Sequence, residues 1–409
     1  MTRTHPRAGA PSTDGDPAAD GGLAADGGLA AVMAADARLA DELVPAAAPE
    51  PGARTTTVVT GATGFFGAAL VDALLRAGEG DVLCLVRAAD DDAARDRLTG
   101  ALARAGYRAA TDRLRAVAAD IAEPGLGLTE DRRHEIRTGA ARVIHAAANV
   151  NGSLPYASLR ASTVFGTAGV LRLAAEAGAT LHHVSTTAAV PVPGAGPHAG
   201  AVPLPGLGNG YAQSKWVAER LVDAARERGL RAWTYRLGAL AGHRGTAVSN
   251  ERDFRWIFVR ACLRLRAAPH IPGDLCWVPV DVAADALAAL ARDDRRAADR
   301  HTLRIAASTG VRWAEVFSWL RRAGHRLDVV EPALWWDLLR DRLAGAPDLA
   351  RMAAFAPALP SGAPRPDDGT WAALAAYGVT EEPFDRHLLL RSVATPATDG
   401  REHDGEERP

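Results

Sequence analysis

Among 47 basic residues the chain carries 46 arginines and one lysine, Lys215, and one of its five tyrosines, Tyr211, stands four residues before it in Tyr211-Ala-Gln-Ser-Lys215. An Arg- and Ala-heavy composition supplies Arg wherever a plain positive charge suffices. A Lys that persists points to what Arg lacks: a compact ammonium with three rotatable donors and a tunable pKa. On a helix, positions i and i+4 share a face, so phenol and ammonium can enter one pocket. A cation there is expected to lower the phenol pKa from about 10 toward the working range of a proton donor. The competing reading is a surface tyrosine beside a solvated lysine, and the surrounding motifs weigh against it.

The second group is a glycine turn. Thr55 to Thr60 is rich in β-branched residues, Gly61-Ala-Thr63-Gly64-Phe65-Phe66-Gly67 follows, and Ala68 to Leu75 is apolar with helical character. Strand, tight turn and helix in that order let the backbone of Gly61, Thr63, Gly64, Phe65, Phe66 and Gly67 approach a pyrophosphate seated on the free N–H groups of the helix start. The run Asp81-Val-Leu-Cys-Leu-Val-Arg87 reads as the next strand. An NAD site usually places an acid at its end, on the ribose 2′-OH, whereas Arg87 suits the 2′-phosphate of NADPH and can grip it with two bonds. Arg97 offers a second contact from the following helix, with Asp90, Asp91 and Asp92 crowding the same region.

Further strand-like runs end in small or polar residues: Leu114 to Ile121, Ala141 to Ala148, Leu181 to Thr187 and Arg231 to Gly238. In an open parallel sheet the C-terminal ends of the strands face the ligand crevice. Asp120 and Ile121 are therefore expected by the adenine, Ala146 and Ala147 by the middle of the cofactor, and Ser185 and Gly238 at the remaining strand ends. His145 reads as a packed strand-end histidine. A hydroxyl at the end of the fifth strand, in Ser185-Thr186-Thr187, would hydrogen-bond a substrate oxygen beside Tyr211; the other reading is a turn cap.

The elements that position these groups divide the chain. Residues 1–52, rich in Ala, Gly, Asp and Pro, read as a disordered leader or linker, with helical character near Leu29 to Leu43. Residues 53–245 read as a Rossmann-type α/β domain with a doubly wound parallel sheet, and 155–177 as one helix within it. A Pro- and Gly-rich loop over 191–210 is long enough to cover the site. Residues 246–395 read as a smaller, mostly helical substrate-binding subdomain, with helices over 251–266, 281–292, 311–323 and 333–343. Strands around 277–281 and 302–306 lie between them, some returning to the main sheet. Trp313, Trp319, Trp335 and Trp336 are expected in its core, and 396–409 as a disordered tail.

Bulk properties narrow the function. With 48% hydrophobic residues, 23% charged and a net charge of -2, the chain lacks the basic stripe of a nucleic-acid binder and the polybasic anchor of a membrane protein. Cys84, Cys262 and Cys276 are too few and scattered for a disulfide framework or a metal site, which fits a cytoplasmic protein. No apolar run reaches the length of a membrane span.

Together these stretches resemble the extended short-chain dehydrogenase/reductase fold, and within it the thioester reductase domains of nonribosomal peptide synthetases, carboxylic acid reductases and aminoadipate reductases. The resemblance runs over about 54–395. It rests on the glycine turn, Leu-Cys-Leu-Val-Arg87, Val-Ile-His145 with Asn149-Val-Asn151 and Leu154-Pro-Tyr156, His183-Val-Ser-Thr186, Tyr211-Ala-Gln-Ser-Lys-Trp216 and Pro279-Val-Asp281. It implies a Thr186/Tyr211/Lys215 triad and hydride transfer from NADPH to a carrier-bound thioester. Thr186 and Tyr211 would steady the oxyanion, Lys215 would hold the nicotinamide ribose, and an aldehyde, or after a second reduction an alcohol, would leave. Two departures stand out: Ser162-Thr163-Val164 where extended members often have Asn before Val, and Arg236-Leu-Gly238 without the usual middle Pro.

The chain opens on Met1 and shows no carrier-protein serine motif or adenylation segment, so it reads as a stand-alone reductase meeting a phosphopantetheinylated acyl or peptidyl carrier protein in trans; an excised terminal domain is the other form. Two further functions remain open: a reductase of soluble acyl-CoA, ketone or sugar nucleotide, and a non-catalytic dinucleotide sensor or scaffold. The complete triad argues against the last.

Overall fold

A computed structural model describes residues 28–40, 43–48, 55–78, 80–108, 112–190, 203–293, 300–342 and 367–395. Helix α1 covers 28–36. Strands β1 (Thr56–Thr60) and β2 (Val82–Val86) flank helix α2 (Phe65–Ala77); α3 (Asp91–Arg104), β3 (Leu114–Ala118), α4 (Glu130–Gly139) and β4 (Ala140–His145) follow. Every residue of β2, Val-Leu-Cys-Leu-Val, is buried. A continuous apolar run of this kind is what a parallel strand covered on both faces requires.

The region read as one helix over 155–177 is three joined pieces. α5 (Tyr156–Leu159) passes through a π-helical stretch, Arg160–Phe165, into α6 (Gly166–Ala177). Within it Thr167 Oγ1 donates back to Thr163 O at 2.6 Å, a side-chain bond that competes with the regular ladder and bends helices. Next come β5 (Thr180–Thr186), α7 (Gly210–Glu227) and β6 (Ala232–Leu237).

Past β6 the chain makes β7 (Ala239–Ala241), α8 (Phe254–Leu265), β8 (Ala267–Pro269), β9 (Asp274–Leu275), β10 (Trp277–Pro279) and α9 (Val280–Arg292). β11 (Thr302–Ile305) then returns to the main sheet beside β6. That sheet has seven strands in the order β11-β6-β5-β4-β1-β2-β3, all pairs parallel. One apolar cluster, with α2, α3 and α9, covers one face; a second, with α6 and α7, covers the other. A third cluster fills the C-terminal part, where α8 packs with α10 (Trp313–Arg322) and α11 (Pro332–Arg342). Trp313, Trp335 and Trp336 are buried in it and Trp319 packs against it, in the core role expected of them.

Part of the segment read as a disordered leader is packed. Met33 is fully buried, Leu39 and Leu43 join the α6–α7 cluster, and Ala46 N donates to Ala175 O at 2.8 Å. Asp36 accepts from Tyr156 Oη at 2.7 Å and from Arg160 Nε and Nη2 at 2.5 Å each. A few apolar side chains and one doubly bonded carboxylate thus hold a stretch whose composition alone suggests no core. The loop at 191–202 and the tail at 396–409 lie outside the described residues. Among the described residues no helix is long and apolar enough to cross a membrane.

Candidate active site

The glycine turn is shaped by close approach. Gly61 has φ +78°, and a Cβ there would lie 2.6 Å from Ala146 C and Ala147 N; a Cβ on Gly67 would lie 1.9 Å from Gly61 O. Only glycine fits either place. Gly64 is exposed and caps α2 with no side chain, so the first N–H groups of the helix are free for an anion. Thr63, Phe65 and Phe66 are partly buried around it. Ala146 N donates to Thr60 O at 3.2 Å and Ala147 N to Thr60 Oγ1 at 3.2 Å, which ties the end of β4 to the turn.

Asn209, Gly210 and Tyr211 start the helix that carries the proton donor. The Asn209 side chain accepts from Ala212 N at 2.9 Å, an N-cap. A Cβ on Gly210 would lie 2.4 Å from Leu154 O and 2.6 Å from Tyr156 N, so α7 enters flush against the turn before α5. Burial pushes the Tyr211 hydroxyl up to about 12, opposed by a hydrogen bond with Thr186; Thr186 Oγ1 in turn accepts from Ala188 N at 3.2 Å. The helix and the end of β5 therefore bring phenol and hydroxyl together.

Lys215 is 2% exposed. Its Nζ donates to Val184 O at 2.7 Å and lies 3.3 Å from His183 Nε2. Burial lowers its pKa to about 8, with Glu219, one turn along α7, pulling the other way. The expectation that Lys215 acidifies Tyr211 is not met here: the downward influence on the phenol comes from Thr186, and the ammonium is engaged by β5. Ser185, read as a cofactor contact, is 3% exposed and donates to Glu219 Oε1 at 2.6 Å. Arg236 Nη2 grips the same carboxylate at 2.6 Å. The alternation of β5 turns Ser185 to the face covered by α7.

Arg87, Asp120, Ile121 and Gly238 follow the ends of β2, β3 and β6, and Arg97 lies on α3. Arg87 is exposed just past β2, and Arg97 Nη1 donates to its carbonyl at 2.9 Å, so the two guanidinium-bearing residues meet. Asp120 folds its carboxylate onto Ala122 N at 2.9 Å, and Ile121 packs against Gly166. Gly238 is pressed on Ala306, where a Cβ would come within 2.8 Å. His183 and Arg236 fall in stretches that bear on the resemblance but are given no role there, and Glu219 carries no motif; only their placement on β5, β6 and α7 reveals them. Among the described residues no group of His, Cys, Asp and Glu is placed to hold a metal.

The family model described as male sterility protein, an NAD-binding family, matches residues 59–287, from β1 through α9. The chain belongs to this family. It is an oxidoreductase of the extended short-chain dehydrogenase/reductase type, with the parallel sheet and helical layers of that group. Over 388 residues this reductase is 34% identical to the isonitrile lipopeptide synthase of Streptomyces coeruleorubidus, covering 90% of the chain and 26% of that relative. The terminal R domain of a myxalamid PKS-NRPS pathway superposes with a TM-score of 0.81 at 30% identity, covering 89% of this chain and 96% of that one. The reductase domain of a Mycobacterium tuberculosis nonribosomal peptide synthetase gives 0.71 at 26% identity, covering 89% and 94%. The chain thus spans about a quarter of the first relative but nearly all of each reductase domain.

A dinucleotide fits the residues present. Gly61 and Gly67 are packed backbone on backbone, which holds the turn tight, and the uncapped start of α2 beyond the exposed Gly64 offers N–H groups to a pyrophosphate. Two strands along the sheet from β1, at the end of β5, stand a hydroxyl pair, Thr186 and Tyr211, and a buried ammonium. This set can protonate an oxygen as negative charge develops on it.

Proposed function

We propose that this reductase uses NADPH to release an acyl or peptidyl chain from the phosphopantetheine thiol of a carrier protein acting in trans, as an aldehyde. The observation that carries the reading is the pairing of Thr186 with Tyr211 at the end of β5, one helical turn from the buried ammonium of Lys215, in a chain aligned with terminal reductase domains along nearly their whole length. Arg87 and Arg97, adjacent at the end of β2, favour the 2′-phosphate over a bare ribose.

Bound in the cradle, the nicotinamide supplies a hydride. Tyr211 gives its hydroxyl proton to the thioester carbonyl oxygen while Thr186 donates a second hydrogen bond to that oxygen. Lys215, kept charged below about pH 8, would hold the nicotinamide ribose beside the two hydroxyls. The thiohemiacetal then loses its C–S bond, the thiol leaves with a proton and the aldehyde is released. The helical part beyond residue 246 supplies the acyl-chain pocket in this reading.

The test compares one acyl group carried on a phosphopantetheinylated carrier, on CoA and as a free ketone analogue, following NADPH absorbance. Preferred turnover of the carrier-bound form supports the proposal. A free CoA thioester or ketone consumed faster assigns the site to soluble substrates.

A further inference from the structure

Polar side chains cross the main sheet in a single row. Thr60, His145, His183, Thr234 and Thr302 are register partners on β1, β4, β5, β6 and β11, and neighbours at one level of a parallel sheet project to one face. The first four are at most 1% exposed. They lie under α6 and α7, where an apolar row would pack without any unpaired polar atom.

At one end the hydrogen-bond directions are forced. Thr167 Oγ1 gives its proton to Thr163 O, so it can only accept from His145 Nε2 at 3.1 Å. Nε2 of His145 therefore carries the proton, and Nδ1 accepts from Thr60 Oγ1 at 2.7 Å. Both nitrogens of His145 are used. His183, its ring centroid 5.5 Å from that of His145, is arranged differently: Nε2 faces Lys215 Nζ, and Nδ1 has no hydrogen-bond partner.

We propose that His183 is a positioning residue for Lys215: neutral, with Nε2 unprotonated, it accepts one ammonium N–H while Val184 O accepts a second, leaving the third for the bound ligand. This rests on the triad reading above. Two adjacent buried cations 3.3 Å apart are untenable, so one partner must be neutral. Burial and the nearby ammonium hold His183 well below the ordinary histidine range, which makes it the neutral one. The orphaned Nδ1–H costs stability, a cost a merely structural leucine would avoid. The charged and titratable groups around the pair are His145 on β4, Tyr211 and Glu219 on α7 and Arg236 on β6; α6 presents the Thr167 hydroxyl.

Two variants and one spectrum test this. His183→Leu removes the acceptor, whereas His183→Gln offers Oε1 near the place of Nε2. The expected result is a loss of about tenfold or more in kcat for His183→Leu, with KM within twofold and the alkaline fall of kcat moved about one pH unit lower, and recovery of most of both in His183→Gln. A wild-type pH profile in His183→Leu overturns the proposal. Histidine ¹⁵N NMR of the cofactor-free protein gives a readout that needs no turnover. His183, assigned by its missing signal in His183→Gln, should be neutral with Nδ1 protonated from pH 5 to 8 and should shift in Lys215→Met. A protonated Nε2, or no shift, overturns it even if His183→Leu fails to fold. Failure of the triad reading looks different: Tyr211→Phe stays active while the NMR pairing of His183 and Lys215 persists.

Discussion

The Ser185 hydroxyl donates to Glu219 Oε1 at 2.6 Å, and the same carboxylate is gripped by Arg236. A strand-end serine that sequence position assigns to the cofactor is thereby committed to a buried ion pair. Ser185→Ala is expected to cost about 1.5–3 kcal/mol of stability, the worth of a hydrogen bond to a charged group, and to leave KM for NADPH within twofold. Denaturant unfolding and steady-state kinetics check the two halves, and a tenfold rise in that KM returns the hydroxyl to the cofactor.

Lys215 costs stability in exchange for chemistry. Its native pKa of about 8 lies below its ordinary value of 10.5 because of burial. Below pH 8 both folded and unfolded chains hold the proton, and the native state bears the whole cost of a dry charge. Between about pH 8 and 10.5 only the unfolded chain holds it, so this group's contribution to stability rises with pH. Lys215→Met, inactive, should be more stable than wild type at pH 7 by on the order of 2 kcal/mol after losing the bond to Val184 O. The gain should fade toward pH 10.5. Urea titrations at pH 7 and pH 10 measure both; a less stable variant at pH 7 contradicts a charged amine in a dry site.

Gly210 sets where Tyr211 begins its helix. An alanine there drives a Cβ into backbone at Leu154 and Tyr156, and backbone cannot swing aside as a side-chain tip does. Gly210→Ala is expected to lose about 1–3 kcal/mol, typical of overpacking, and to lower kcat more than KM because the displaced group is the proton donor. Equal activity and melting temperature in the variant would remove this contact from the account.

Asp36 extends the site's support into the N-terminal segment. Burial raises its carboxyl pKa, but hydrogen bonds from Arg160 and Tyr156 outweigh that and leave it below the ordinary value. Its stabilisation is fully present above the ordinary carboxylate pKa of about 3.9 and is lost as pH falls through the lowered native value. Arg160 is partly exposed, so solvent screening trims the pair. Asp36→Asn should cost about 1–2 kcal/mol at pH 7, with the gap closing only in acid below the ordinary carboxylate range. Thermal unfolding across pH reads this directly; a gap independent of pH means that the charge is not what holds the segment.

Much of the fold is legible because buried parallel strands are spelled as short apolar runs, as in Val82–Val86, and because strand, glycine turn and helix follow one another at Thr56–Ala77. The proposed triad is legible because a unique lysine marks it. Three features are not. The row Thr60–His145–His183 depends on register between strands far apart in sequence. The π-helical stretch Arg160–Phe165 carries no glycine or proline to mark the break. The packing of 28–48 depends on partners such as Arg160, more than 100 residues on, while its Ala-, Gly- and Asp-rich composition suggests no core.

The central claim, that Tyr211 protonates a thioester carbonyl reduced in this crevice, is tested most directly by isotope transfer. Carrier-bound acyl thioester is incubated with NADPH deuterated at the transferred C4 position, and the released product is read by mass spectrometry for wild type and Tyr211→Phe. The account predicts an aldehyde bearing one deuterium at its carbonyl carbon from wild type, and a rate at least about 100-fold lower from the variant. Release of unlabelled product, or undiminished release by Tyr211→Phe, contradicts it.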